Sequence, residues 1–181
     1  LIAASDMDLA VFDPYPPALE KFSGKARLAT SAADAARGAE VVQICVRDDK
    51  QVSDVLFGTA GVMETVSAGS IVAVHSTIKI DTVKALHTRL AERDVFFVDA
   101  PVARTRREAT GPFVFTMIGG DPVLAERLHP LFALFSTDIK HVGPSGAAMA
   151  LKISNNFVTW VQLVAGLQSM RLSTEFGVSF D

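Results

Sequence analysis

The chain has 181 residues, 49% of them hydrophobic, which is enough for one substantial buried core. Lys and Arg total 17 and Asp and Glu total 20, a net charge of −3 with no block of one sign, so composition makes no electrostatic case for nucleic acid or an anionic membrane as partner. The four histidines, His75, His87, His129 and His141, lack metal-ligand spacing, and no apolar run reaches the length of a membrane span.

Strands and helices alternate along the chain. Leu9 to Phe12 reads as a short strand ending at Asp13, and Pro14 to Phe22 as a short helix. Ser31 suits an N-cap, with Asp34 three residues on. Val41 to Val46 is the β-branched apolar run of a parallel strand covered on both faces, and within it Cys45 reads as a buried small side chain. As the only cysteine it excludes an internal disulfide, which suits a reducing, cytoplasmic location. Asp48 to Leu56 reads as a helix and Ser70 to Val74 as a strand. Ile80 to Ala91 is a helix with Val83, Leu86 and Leu90 on one stripe. Val95 to Val98 is a strand ending at Asp99, and Phe113 to Ile118 another, closed by Gly119-Gly120. Asp121 caps a helix running to Phe135, with Pro122 at its first position, and Ile139 to Val142 is a short strand.

From Ala147 to about Gly177 the composition is helical, with no Pro or strong turn signal, as in a helix that leads to another domain. The alternation predicts an α/β fold, a Rossmann-like doubly wound parallel sheet. Ligands of such sheets bind beyond the carboxyl ends of the strands, so the residues just after each strand carry the information.

A dinucleotide-binding sheet opens with a strand, a Gly-rich turn and a helix, and an acidic residue ends its second strand and bonds the ribose. No G-x-G-x-x-G occurs in the 181 residues. If Asp13 is the acidic residue, the sheet lacks its first strand here and the glycine turn lies upstream of Leu1; otherwise Asp13 is an ordinary turn residue before Pro14. The expected organisation is an incomplete dinucleotide-binding domain over residues 1–146 and an interdomain helix over residues 147–181, leading to an absent all-helical domain.

Five segments, in order, carry a resemblance: Cys45-Val46-Arg47, His75-Ser76-Thr77, Asp99-Ala100-Pro101-Val102, Ile118-Gly119-Gly120-Asp121, and Gly143-Pro144-Ser145-Gly146 followed by Lys152 and Asn155-Asn156. Together they resemble the 3-hydroxyisobutyrate dehydrogenase family of β-hydroxyacid dehydrogenases: Ile118 to Asp121 looks like its V-G-G-D segment, Asp99 to Val102 like its D-A-P-V, and Gly143 to Asn156 like its G-x-x-G-x(5)-K-x-x-N-N. Lys152 and Asn156 are four apart and share one face of a helix, with Asn155 beside them. The segment from Ala147 to Leu151 is uncharged and no charge follows Lys152 until Arg171, so a lone ammonium there must face a cleft or a partner.

The resemblance implies that Lys152 is catalytic, exchanging the hydroxyl proton, and that Asn156, with Asn155, orients the substrate. A lysine destabilised by partial burial suits that task near neutral pH. Where the family continues D-A-P-V with Ser-Gly-Gly, this chain has Ala103-Arg104-Thr105. The departure puts 3-hydroxyisobutyrate itself in doubt, and the Arg104 guanidinium suits an anionic end such as carboxylate or sulfonate. An Arg-Thr pair is similar to that of relatives reducing short anionic semialdehydes such as sulfolactaldehyde. Arg104, with Arg106 and Arg107, also reads as a solvated basic loop.

Ser76 and Thr77 resemble the family's S-T beside the cofactor, with a helix-cap role open for Thr77. Val46-Arg47 stands where the family has Leu-Pro against the cofactor, and Arg47 reaches a phosphate or sits in solvent. Asp13, followed by Pro14 and Tyr15 with no Arg to neutralise a 2′-phosphate, favours NAD over NADP. The expected whole is an NAD(P)-dependent dehydrogenase or reductase acting on a small anionic hydroxyacid or semialdehyde, a homodimer or homotetramer. A non-catalytic dinucleotide-binding relative and an imine-reducing relative remain as alternatives.

Overall fold

A computed structural model describes residues 6–103 and 114–180. The strands are β1 (Ala10–Val11), β2 (Arg27–Leu28), β3 (Val41–Ile44), β4 (Ile71–Val74), β5 (Phe96–Asp99), β6 (Val102–Ala103), β7 (Val114–Gly119) and β8 (Ser136–Gly143). The α-helices are α1 (Pro16–Leu19), α2 (Ala32–Ala36), α3 (Asp49–Phe57), α4 (Ile80–Ala91), α5 (Pro122–Phe132) and α6 (Ala147–Glu175).

β4 explains the layering. Its four residues are all buried, and alternate side chains point to opposite faces of the sheet. Val72 and Val74 join one core with Val52 and Leu56 of α3 and Val83, Leu86 and Leu90 of α4. Ile71 and Ala73 join the other with Leu124, Leu128 and Phe132 of α5. Helices thus cover both faces, and a continuous apolar strand is what that environment requires.

β3, β4 and β5 are parallel neighbours, as the alternation predicts. The parallel run stops there. β7 pairs antiparallel with β5 through Asp99 and Gly119 and with β6 through Val102 and Thr116, while β8 runs parallel to β7. β6 ends at Ala103 and β7 begins at Val114, a separation shorter than the dozen or more residues that a crossover between parallel strands needs. The short pair β1–β2 is parallel and forms a sheet of its own.

Two further details differ from the sequence reading. β3 ends at Ile44 rather than Val46, so Cys45 falls in the following loop and is exposed rather than buried. α5 stops at Phe132 and β8 already begins at Ser136.

Among the described residues, three helix starts have side-chain caps. Ser31 accepts from the Asp34 amide at 3.0 Å, Asp48 from Gln51 at 2.8 Å and Asp121 from Val123 at 2.8 Å. Gln51 returns the favour, its Oε1 accepting from the Arg47 amide at 3.1 Å. α4 is capped from outside: Asp49 of α3 accepts from the Lys79 amide at 2.9 Å and from the Thr82 hydroxyl.

Candidate active site

The carboxyl ends of β3, β4 and β5 converge on the first turn of α6. Val46, just beyond β3, donates its amide to Ser76 Oγ at 2.7 Å, so the Ser76 hydroxyl ties the loop after β3 to the loop after β4. Ser76 is itself buried, whereas Thr77 is exposed. Thr77 does not cap α4, whose N-cap position is Lys79. Two residues beyond Ser76, the Ile78 amide contacts Met149 Sδ at 3.4 Å, which ties the same loop to α6.

Asp99, at the end of β5, makes the strongest attachment. Its side chain is fully buried. Oδ1 accepts from the Gly146 amide at 2.7 Å and Oδ2 from the Met149 amide at 2.8 Å. One carboxylate therefore satisfies two amides at the start of α6, where helical N–H groups lack intrahelical partners. Burial pushes the Asp99 carboxyl above the ordinary carboxylate range, while the amides of Gly146 and Met149 pull the other way. Gly119 makes room: a Cβ there would stand 2.5 Å from Asp99 Oδ1. Gly146, with φ of 93°, holds a left-handed conformation that suits only glycine.

α6 leaves the body of the domain within one turn. Ala148 and Met149 are fully buried, but from Leu151 to Leu172 every residue except Lys152 and Asn156 is exposed. These two are half-buried and one turn apart, so the polar pair faces the domain while Leu151, Ile153, Phe157, Trp160 and Val161 face outward. Burial lowers the Lys152 pKa from the ordinary lysine value. None of the ion pairs among the described residues involves it. Partial burial of an ammonium eases loss of its proton. Asn155 is exposed.

The remaining candidates are more scattered. Asp13 follows β1 in the small sheet, is half-buried, and accepts the Tyr15 amide on Oδ1 at 2.8 Å, an Asx turn. Arg47 is exposed. Ala103 ends β6 and is half-buried; Arg104 and Thr105, with Arg106 and Arg107, lie outside the described residues. An open cleft of about 650 Å³ lies elsewhere, lined by Lys84, His87, Asp121, His141 and Ser145 among others, and does not include Lys152.

Sequence reasoning missed two things. It did not foresee that the Ser76 hydroxyl accepts the Val46 amide, a bond that leaves its own O–H free to donate. It also left Asp99 without a task, although an acid closing an apolar strand is a signal in itself.

Residues 1–143 match the family model described as the NAD binding domain of 6-phosphogluconate dehydrogenase. An uncharacterized oxidoreductase of Mycobacterium tuberculosis is 33% identical over 171 residues, 94% of this chain and 58% of the relative. An NAD-dependent L-serine dehydrogenase of Pseudomonas aeruginosa is 31% identical over 172 residues, again 94% of this chain and 57% of the relative. A solved 3-hydroxyisobutyrate dehydrogenase of M. tuberculosis with L-serine superposes with a TM-score of 0.88 at 25% identity, covering 99% of this chain and 61% of that one. Imine reductases share the fold at 20% identity or less. The chain thus spans less than two thirds of the length of these relatives, and the resemblance to 3-hydroxyisobutyrate dehydrogenases read from its motifs holds. On the match over residues 1–143, the chain belongs to the family defined by the NAD binding domain of 6-phosphogluconate dehydrogenase.

Proposed function

We propose that the whole protein is an NAD(P)-dependent oxidoreductase interconverting a short-chain β-hydroxyacid and its semialdehyde, with Lys152 as general acid and base. The observation that supports this reading is the burial pattern of α6: along a helix exposed from Leu151 to Leu172, only Lys152 and Asn156, one turn apart, are half-buried. Apolar residues would occupy such positions in a helix that merely packs. A dinucleotide-binding module without turnover has no use for a desolvated lysine there.

The residues fit a nicotinamide cofactor. Asp13, two residues beyond β1, has the acceptor chemistry that a ribose requires, and its charge disfavours a 2′-phosphate, which points to NAD. Val46 and Ser76 fix the loops beyond β3 and β4, with Arg47 and Thr77 exposed next to them. When bound, the cofactor supplies or accepts hydride. The protein's part in oxidation is to take the hydroxyl proton on Lys152 Nζ as hydride leaves the same carbon; in reduction Lys152 returns it. Asn156, one turn away on the same face, holds the substrate oxygen or the lysine through its amide, with Asn155 beside it. Ala103, Arg104 and Thr105 bind the anionic end of the substrate, the guanidinium through its planar fork. A homodimer or homotetramer of the whole protein would cover the outward apolar side chains of α6, among them Phe157 and Trp160.

The test is a panel of short hydroxyacids and semialdehydes, carboxylate, sulfonate and uncharged, assayed with NAD(H) and NADP(H) on the protein at its natural length. Turnover of an anionic β-hydroxyacid or semialdehyde with NAD(H), and little with uncharged analogues, is expected. Turnover confined to imines, or none with any member, contradicts the proposal.

A further inference from the structure

Asp99 and Gly119 serve no step in the mechanism above, yet they meet at the root of the helix that carries Lys152. The Asp99 carboxylate is fully buried, and its two oxygens are divided between the amides of Gly146 and Met149, at 2.7 and 2.8 Å. Hydrogen bonds from neutral amides to a carboxylate are about twice as strong as neutral pairs, and two on one rigid group fix direction as well as distance. The strand behind Asp99 is held in register by its neighbours, with Val74 opposite Asp99 on one side and Gly119 on the other. Gly119 leaves the carboxylate its seat, since a Cβ there would stand 2.5 Å from Oδ1.

α6 also packs against β7, β8 and α4, but it is Asp99 that holds its first turn through two charge-assisted hydrogen bonds. Ala148 and Met149 are buried in the first turn, and Lys152 follows Met149 by three residues. The helix then projects from the body. A small tilt at its root therefore moves the Lys152 amine by an amount that matters for proton transfer, where misplacement by about 1 Å can cost about a hundredfold in rate.

We propose that Asp99, seated against Gly119, is a positioning residue for the reaction: it fixes the first turn of α6 to the end of β5 and so sets where Lys152 stands relative to the strand ends. The inference rests on the reading of Lys152 as the proton-transfer group. A buried carboxylate is a costly way to fasten a helix that a neutral serine or asparagine cap would stabilise. What the carboxylate adds is a two-point attachment without freedom to rotate.

The experiment uses the protein at its natural length with the substrate identified by the panel above. Asp99→Asn keeps the shape but loses one acceptor, and Gly119→Ala keeps the carboxylate but pushes on it. Both should lower kcat by about tenfold or more while NADH affinity, measured by fluorescence, stays within about twofold. Because both act through one contact, the double variant should lose little more than the worse single variant. Thr116→Val, on the same strand as Gly119, breaks the buried 2.6 Å hydroxyl pair with Ser136 of β8; it serves as the structural control and should lower the Tm without lowering kcat. If Asp99→Asn fails to fold, Gly119→Ala decides alone. Full kcat in Gly119→Ala, or losses that add in the double variant, or an equal kcat loss in Thr116→Val, would overturn the inference. Lys152→Ala separates the two readings: if it retains turnover, the proposed function fails; if it is inactive while Gly119→Ala is fully active, only the positioning role fails.

Discussion

His75 shows how much a single ring can tie together. It follows β4, is buried, and places Nδ1 2.7 Å from the Ala100 carbonyl and Nε2 3.0 Å from the Gln43 side-chain oxygen, so it links the ends of all three parallel strands. Phe132 and Phe135 meet it edge-on, with centroids 5.3 and 5.8 Å away. Burial depresses its pKa below the ordinary 6.5. A neutral ring can donate from Nδ1 to the Ala100 carbonyl, and burial against Phe132 and Phe135 favours that neutral form. The sign follows from linkage. The unfolded chain takes up a proton as pH falls through the ordinary histidine value, and the folded chain does not. Stability is therefore full above that value and is lost as pH falls toward the folded pKa. The Tm should drop between about pH 7 and about pH 5, and His75→Gln should flatten that part of the curve. An unchanged slope in His75→Gln would assign the acid sensitivity to other groups.

At the scale of elements, the caps carry the clearest consequences. Asp49 belongs to α3 but accepts the Lys79 amide and the Thr82 hydroxyl at the start of α4. Asp49→Ala should cost about 1–2 kcal/mol in chemical denaturation, more than the loss of a cap serving only its own helix; no change beyond error would show that water replaces the cap. That contact spans 33 residues and was invisible in the sequence, whereas Ser31 and Asp121 cap locally and were read as caps; Asp48, read as the first helical residue, is the cap of α3. The helices α4 and α6 were legible because their spacing or composition extends over many residues. β2 and β6 were not: each has two residues, too few for any period to show. Cys45 was misread because an apolar run does not reveal where hydrogen bonding to the next strand stops. Lys152 and Asn156 stood out because charge is rare in that stretch. The task of Asp99 depends on a contact with Gly146, 47 residues away, and no local pattern encodes such a distance.

At the scale of the molecule, two packed faces hold the parallel strands rigid, and that rigidity is exported to one helix. The strand ends after β3, β4 and β5 are linked to each other and to α6 by Ser76, His75, Met149 and Asp99. The antiparallel return of β7 places Gly119 beside Asp99, so the departure from an all-parallel sheet is also what completes the anchor of α6. Beyond that anchor, α6 carries exposed apolar side chains, among them Phe157 and Trp160. On the proposed function, this framework presents the amine of Lys152. The direct measurement is single-turnover hydride transfer, followed by nicotinamide absorbance, in Lys152→Ala at the protein's natural length, with NADH affinity measured in parallel. The account predicts NADH affinity within about twofold of the unsubstituted protein and hydride transfer slower by about a hundredfold or more. Hydride transfer at the unsubstituted rate in Lys152→Ala would contradict it.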